Sequence, residues 1–215
     1  MTHAFSSVVY VVDEDVAARE SVERLIRRAG WQTETFGCAQ EFLARPRTAG
    51  PCCLILDVIL PDINGLDLQR QVSSERRNMP IIFLSGCCNL ETSVKAMKAG
   101  ALDFLAKPLN EDSLLSSVRE AMKRSEIIHG REIELHQLRA SYGSLTPRER
   151  EVMTLVVSGL PNKQVGGELG ISEITVKEHR GNVMRKMKAD SFAHLVNMGA
   201  RLRVAKPLTQ NLAIA

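Results

Sequence analysis

From Val8 onward, short apolar runs alternate with longer stretches in which apolar residues return every three or four positions. The short runs are rich in β-branched residues and bounded by Gly, Pro or polar clusters. They predict buried strands at residues 8–12, 32–36, 53–56, 81–84 and 102–105. The helical pattern over 16–29 gathers Val22, Leu25, Ile26 and Ala29 on one face, sets Arg24, Arg27 and Arg28 largely on another, and stops at Gly30. Strand and helix in alternation predict a parallel sheet covered by helices, and five of each fit within residues 1–124.

After Asn110, a suitable N-cap, a longer helix is predicted with Leu114, Leu115, Val118, Ala121 and Met122 on its apolar face. Ile127, Ile128, Ile133, Leu135 and Leu138 prolong the pattern through residues 125–143, with Gly130 as its weak point. These residues read as an interdomain helical linker, continuous or broken. A flexible linker with incidental helicity is the alternative.

The pattern then becomes wholly helical. In "SLTPRERE", Thr146 is placed to cap, Pro147 to occupy the first helical position, and Glu149 to close a capping box, so a helix is predicted from Pro147 to Ser158, ending at Gly159. A short helix over 162–169, a turn at Gly170, a helix over 173–187 capped by Ser172 and a last helix over 191–202 follow. Ile174, Val176, Val183 and Met187 are expected to face the core of this four-helix domain, 144–205, with residues 206–215 left as a tail.

Charge sharpens the division. Residues 1–124 carry 15 Lys+Arg against 16 Asp+Glu, whereas residues 144–215 carry 11 against 6, so the excess positive charge sits in the last third. A basic helix–turn–helix beside a neutral α/β domain suits a DNA-reading module. An ordinary solvated basic helix is the plainer alternative. No apolar run is long enough to cross a membrane or serve as a secretory signal, so a cytoplasmic protein with no membrane partner is expected. Five cysteines without zinc-like spacing read as free or buried thiols; a redox sensor at Cys87 and Cys88 is the alternative.

The candidate chemistry lies just beyond the strands, where ligands of open parallel sheets bind. Strand one runs into Asp13, Glu14 and Asp15, strand three into Asp57, strand four into Ser85 and strand five into Lys107. Carboxylates so close repel one another, and a hard divalent cation such as Mg2+ relieves them. Such a site suits aspartyl phosphate formation: Lys107 reaches phosphoryl oxygens, and the Ser85 hydroxyl bonds another once the group is attached. Singly, each residue has a plainer role as a turn former, cap or solvated charge.

Taken together, "VVDED", "LILDVILPDINGLDL", "FLSG" and "KAMKAGALDFLAKP" make residues 6 to 125 resemble a response-regulator receiver domain. The resemblance implies a flavodoxin-like (βα)5 fold with strand order 2-1-3-4-5 and a cis Lys107-Pro108 bond. It further implies that Asp57 is the phospho-acceptor, that Asp13 and Glu14 serve magnesium with Ile59 as a carbonyl ligand, and that Ser85 and Phe104 form the switch. Glu14 departs from the more common second Asp.

The segment "LTPREREVMTLVVSGLPNKQVGGELGISEITVKEHRGNVMRKM" is similar to the LuxR/NarL-type helix-turn-helix. That likeness makes Thr175, Lys177, His179, Arg180, Asn182 and Arg185 candidate DNA contacts, with Lys163 and Lys186 on phosphates. Gly166 and Pro161 depart from a common Ala and Ser; Gly166 and Gly167 each weaken the short helix by roughly 1 kcal/mol relative to Ala.

Both modules together resemble a FixJ/NarL-type response regulator. This implies a histidine kinase as phosphoryl donor and double-stranded DNA as target. Homodimerisation on phosphorylation would use the face around Val94, Met97 and strand five. No turnover of an external substrate is expected. Two competitors stand beside this reading: a metal-dependent aspartyl-phosphate hydrolase, and a transcription factor whose receiver works without phosphorylation.

Overall fold

The computed structural model describes residues 7–76, 79–86 and 90–204. Cys87 and Cys88 lie outside them. The chain divides into two compact units between Gly130 and Arg131.

In the first unit, β1 (Val8–Val12), β2 (Gln32–Phe36), β3 (Cys52–Asp57), β4 (Ile81–Ser85) and β5 (Asp103–Ala106) form one parallel sheet in the order β2-β1-β3-β4-β5. The three central strands are buried along their whole lengths, which is why they read as unbroken apolar runs. Their side chains alternate between two cores. Tyr10, Leu54, Leu56 and Phe83 join Phe42, Leu68, Val72 and Ala96 from α2 (Ala39–Ala44), α3 (Gly65–Glu75) and α4 (Leu90–Lys98) on one face. Val9, Val11, Ile55, Ile82 and Leu84 join Val22, Leu25, Ile26, Leu114 and Val118 from α1 (Val16–Arg28) and α5 (Glu111–Gly143) on the other.

Local chemistry sets the ends of these helices. The Asp15 carboxylate accepts the N–H groups of Ala17 and Ala18 at the start of α1, and Gly30 follows with φ +93°. Asn64 caps α3 and Asn110 caps α5.

The segment from Glu111 to Gly143 is a single helix of 33 residues, so Gly130 does not interrupt it. A lone glycine costs a helix about 1 kcal/mol, too little to break one whose first and last turns are held by packing. Its earlier turns pack into the first unit, where Ser125 Oγ accepts the Cys52 N–H. Leu135, Leu138 and Tyr142 belong to the core of the second unit.

The second unit continues with α6 (Pro147–Val157), α7 (Asn162–Leu169), α8 (Glu173–Met187) and α9 (Phe192–Leu202). Thr146 and Glu149 form the reciprocal capping box that opens α6. Gly170 adopts the left-handed conformation between α7 and α8, and Ser172 Oγ accepts the Thr175 N–H at the start of α8. At Gly166 a Cβ would lie 2.7 Å from the Ile171 carbonyl oxygen, so the turn closes tightly on a bare backbone.

One core expectation fails. Val176, Val183 and Met187 are buried as anticipated, but Ile174 is 71% exposed. At about 100° per residue, a position two before Val176 lies on the far side of the helix.

Candidate functional site

The carboxyl ends of β1, β3 and β4 and the residue after β5 converge as the strand order requires. Asp13 is 1% exposed, Ser85 2% and Asp57 7%. Lys107 Nζ donates to Asp13 Oδ2 at 2.6 Å and to Asp57 Oδ2 at 2.5 Å. The second oxygen of each carboxylate accepts a backbone N–H: Asp15 to Asp13 Oδ1 at 2.9 Å, Ile59 to Asp57 Oδ1 at 3.1 Å. Every acidic oxygen in the pair is thereby held in place.

Backbone geometry fixes Lys107 and Asp57 in turn. The Lys107 N–H donates to the Ser85 carbonyl at 2.8 Å, and the Lys107-Pro108 peptide is cis. Gly65 N–H donates to the Val58 carbonyl at 2.8 Å. The first turn of α3 sits so close that a Cβ on Gly65 would overlap the Asp57 carbonyl oxygen and come within 3.0 Å of Val58 Cα. Only glycine permits that approach.

Electrostatically, the cluster holds two carboxylates against one ammonium. Burial raises the Asp13 pKa above the usual carboxylate range, the neighbouring Asp57 charge adds to it, and the hydrogen bond from Lys107 does not fully compensate. Burial opposes the charge on Lys107, but its hydrogen bonds to Asp13 and Asp57 outweigh burial and raise its pKa. A cluster with surplus negative charge and oxygen donors fits a hard dication.

Glu14 does not join it. Asp13 turns inward, so the next residue points out, and Glu14 is exposed. Among the described residues, no three His, Cys, Asp or Glu side chains are grouped closely enough to hold a metal alone. Asp15, third in the acidic run, serves as the α1 cap.

Arg19, which the sequence did not single out, donates from Nη1 to the Asp13 carbonyl at 2.6 Å and braces the loop from α1. Its only signal is its place one turn into a helix that follows an acidic loop. Phe104 is half-buried, with its ring centroid 6.0 Å from that of Phe83 on the neighbouring strand. On α4, Leu90, Val94 and Met97 are exposed at helical spacing.

The second unit sorts its candidate residues by what holds them. Lys186 Nζ lies 2.6 Å from Glu149 Oε2, inside the α6 capping box. Burial would raise the Glu149 pKa, but hydrogen bonds from Lys186 and Thr146 hold it below the usual range. Arg180 donates to Asn162 Oδ1 at 3.2 Å, and its guanidinium lies 4.3 Å over the Phe192 ring, tying α8 to α7 and α9. Asn182 accepts from Arg185 at 3.0 Å. Thr175 is engaged with Ser172, and His179 is half-buried.

Lys163, Lys177 and Arg185 are exposed. With Lys177 and Arg185, three residues outside the expected set complete the exposed face of α8: Ile174, Glu178 and Gly181. Their signal was spacing rather than charge, since 174, 177, 178, 181 and 185 share one side of a helix.

Residues 9–119 match the response regulator receiver domain, and residues 143–199 match the bacterial regulatory proteins of the luxR family. The chain is 42% identical to the response regulator protein TodT of Pseudomonas putida, over 92% of this chain and 87% of that one. It is 35% identical to the transcriptional regulatory protein FixJ of Bradyrhizobium diazoefficiens, over 90% and 94%. Its backbone is similar to that of the response regulator StyR, with a TM-score of 0.80 and 41% identity over 91% of this chain and 99% of that one.

Proposed function

Because this chain belongs to the FixJ-type response regulators, in which a receiver precedes a LuxR-type DNA-binding domain, we propose that phosphoryl transfer from a histidine kinase to Asp57 controls its dimerisation and DNA binding. It is a DNA-binding transcriptional response regulator. The observation that carries the phosphoryl-acceptor reading is the single ammonium of Lys107 on one oxygen each of Asp13 and Asp57.

In this reading an Asp57 carboxylate oxygen attacks the phosphorus of a phosphohistidine. The P–O bond forms as the P–N bond breaks, and the imidazole leaves with the electron pair and takes up a proton. Lys107 follows the phosphoryl oxygens as they replace the Asp57 carboxylate as its partner. Ser85, at the end of the adjacent strand, supplies a hydroxyl to one of them, and Phe104 repacks against Phe83 in response.

Asp13 and Asp57, with the Ile59 carbonyl and Glu14 once its side chain turns inward, would hold Mg2+. Bound there, the ion would neutralise charge on the phosphoryl group. Dimerisation would use the apolar stripe Leu90, Val94 and Met97 together with β5, and the dimer would place two copies of α8 in half-sites about one helical turn apart. The protein would work in the cytoplasm.

Intact mass after incubation with Mg2+ and acetyl phosphate tests the reading. A Mg2+-dependent phosphoryl adduct is expected on the parent and not on Asp57→Asn. An adduct on both would move the acceptor elsewhere, and none on either would favour a receiver that acts without phosphorylation.

A further inference from the structure

Ile174 lies outside the hydrophobic core of its own unit. It is 71% exposed while the core of α8 is Val176, Val183 and Met187. β-Branching makes isoleucine a poorer helix former than the Glu, Lys or Arg that an exposed first turn would otherwise favour. A single exposed apolar side chain is ordinary on a protein surface, so its surroundings decide the matter.

Those surroundings point to base edges. Ile174 heads the outward face that continues through Lys177, Glu178, Gly181 and Arg185. Lys177, in a surface pair with Glu173 at 3.1 Å, and Arg185, bonded to the neutral Asn182 amide, keep exposed cations on or beside this face, whereas Arg180 and Lys186 are held against other helices of the unit. Glu178, one turn beyond Ile174, would be repelled by phosphates. It is compatible with a DNA-facing surface where it meets the amino groups of cytosine or adenine. The face therefore meets base edges in the major groove rather than the backbone, and the apolar group displayed there is the thymine 5-methyl.

We infer that Ile174 is a specificity-determining residue that packs on the 5-methyl group of a thymine in each half-site. The inference rests on the DNA-binding reading of the second unit. Its test begins with selection of binding sites for the full chain, treated with acetyl phosphate and Mg2+, from a random duplex library. Each thymine of the selected site is then replaced singly by deoxyuridine, which removes only the methyl.

At one thymine per half-site the replacement should weaken the parent about fourfold, the value of one buried methyl. Ile174→Ala should bind the unmodified site about that much more weakly and be indifferent to deoxyuridine at the same position. Ile174→Val should retain most of the discrimination. An unchanged thermal midpoint in both variants would show that folding is intact. Losses from Ile174→Ala and deoxyuridine that simply multiply at every thymine would overturn the inference. Failure of any sequence to enrich would instead overturn DNA recognition by the chain under these conditions, and this inference with it.

Discussion

Lys186 reaches across from α8 to Glu149 of α6, Nζ to Oε2 at 2.6 Å, so one cation of this basic helix is an internal strut. The same carboxylate accepts the Thr146 N–H at 2.8 Å. Glu149→Ala removes half of a capping box and leaves Lys186 without its partner. It should lower the stability of the second unit by about 1–2 kcal/mol, read by denaturant unfolding. Lys186→Met should likewise lower stability while leaving the salt dependence of DNA binding unchanged. A phosphate contact at Lys186 would instead reduce that slope by about one.

Asp13→Asn should stabilise the first unit at neutral pH. The folded-state pKa of Asp13 is raised, chiefly by burial and then by Asp57, so its ionised form is disfavoured by folding. A carboxyl with a raised folded pKa favours the folded state below its unfolded pKa and loses that contribution as pH rises through the folded value. The advantage of the variant should therefore be present at pH 7 and shrink as acid protonates Asp13 in the parent. Urea midpoints measured from pH 7 down to pH 4 check this.

Gly65→Ala places a methyl against the Asp57 carbonyl and within 3.0 Å of Val58 Cα. Both obstacles are backbone, so α3 or the end of β3 must shift. A loss of about 1–3 kcal/mol is expected, together with slower adduct formation from acetyl phosphate. Gly167→Ala is the contrasting case, because nothing lies within 4 Å of a Cβ there; it should stabilise α7 by about 0.5–1 kcal/mol.

Gly181 sits mid-helix in α8, exposed, with nothing within 4 Å of a Cβ. Among the described residues, no packing requires glycine there. Gly181→Ala should raise stability by about 0.5–1 kcal/mol and lower DNA affinity severalfold, because the added methyl would hold the helix away from the groove. Thermal unfolding and a binding titration on one preparation would show whether the two quantities move in opposite directions.

Much of this molecule could be read from its residues because its boundaries are marked by chemistry that acts locally. Thr146, Pro147 and Glu149 announce α6, Ser172 announces α8, and the buried strands declare themselves by short apolar runs. The pocket was legible for the same reason: strand ends in a parallel sheet fall on one rim, so Asp13, Asp57, Ser85 and Lys107 had to be neighbours. What escaped was side-chain direction: Ile174 was assigned to the core on hydrophobicity although its angle opposes Val176, and neither the outward turn of Glu14 nor the internal partners of Arg180 and Lys186, Phe192 and Glu149, were visible in the pattern.

The outward face of α8 supplies none of the second unit's core side chains. On the proposed reading of that face, exchanges at positions 174, 177, 178 and 181 would change which promoter is addressed while sparing the scaffold. Duplicate genes of this design could drift to new regulons through a handful of substitutions, with Val176, Val183 and Met187 left untouched as the framework on which each new address is written.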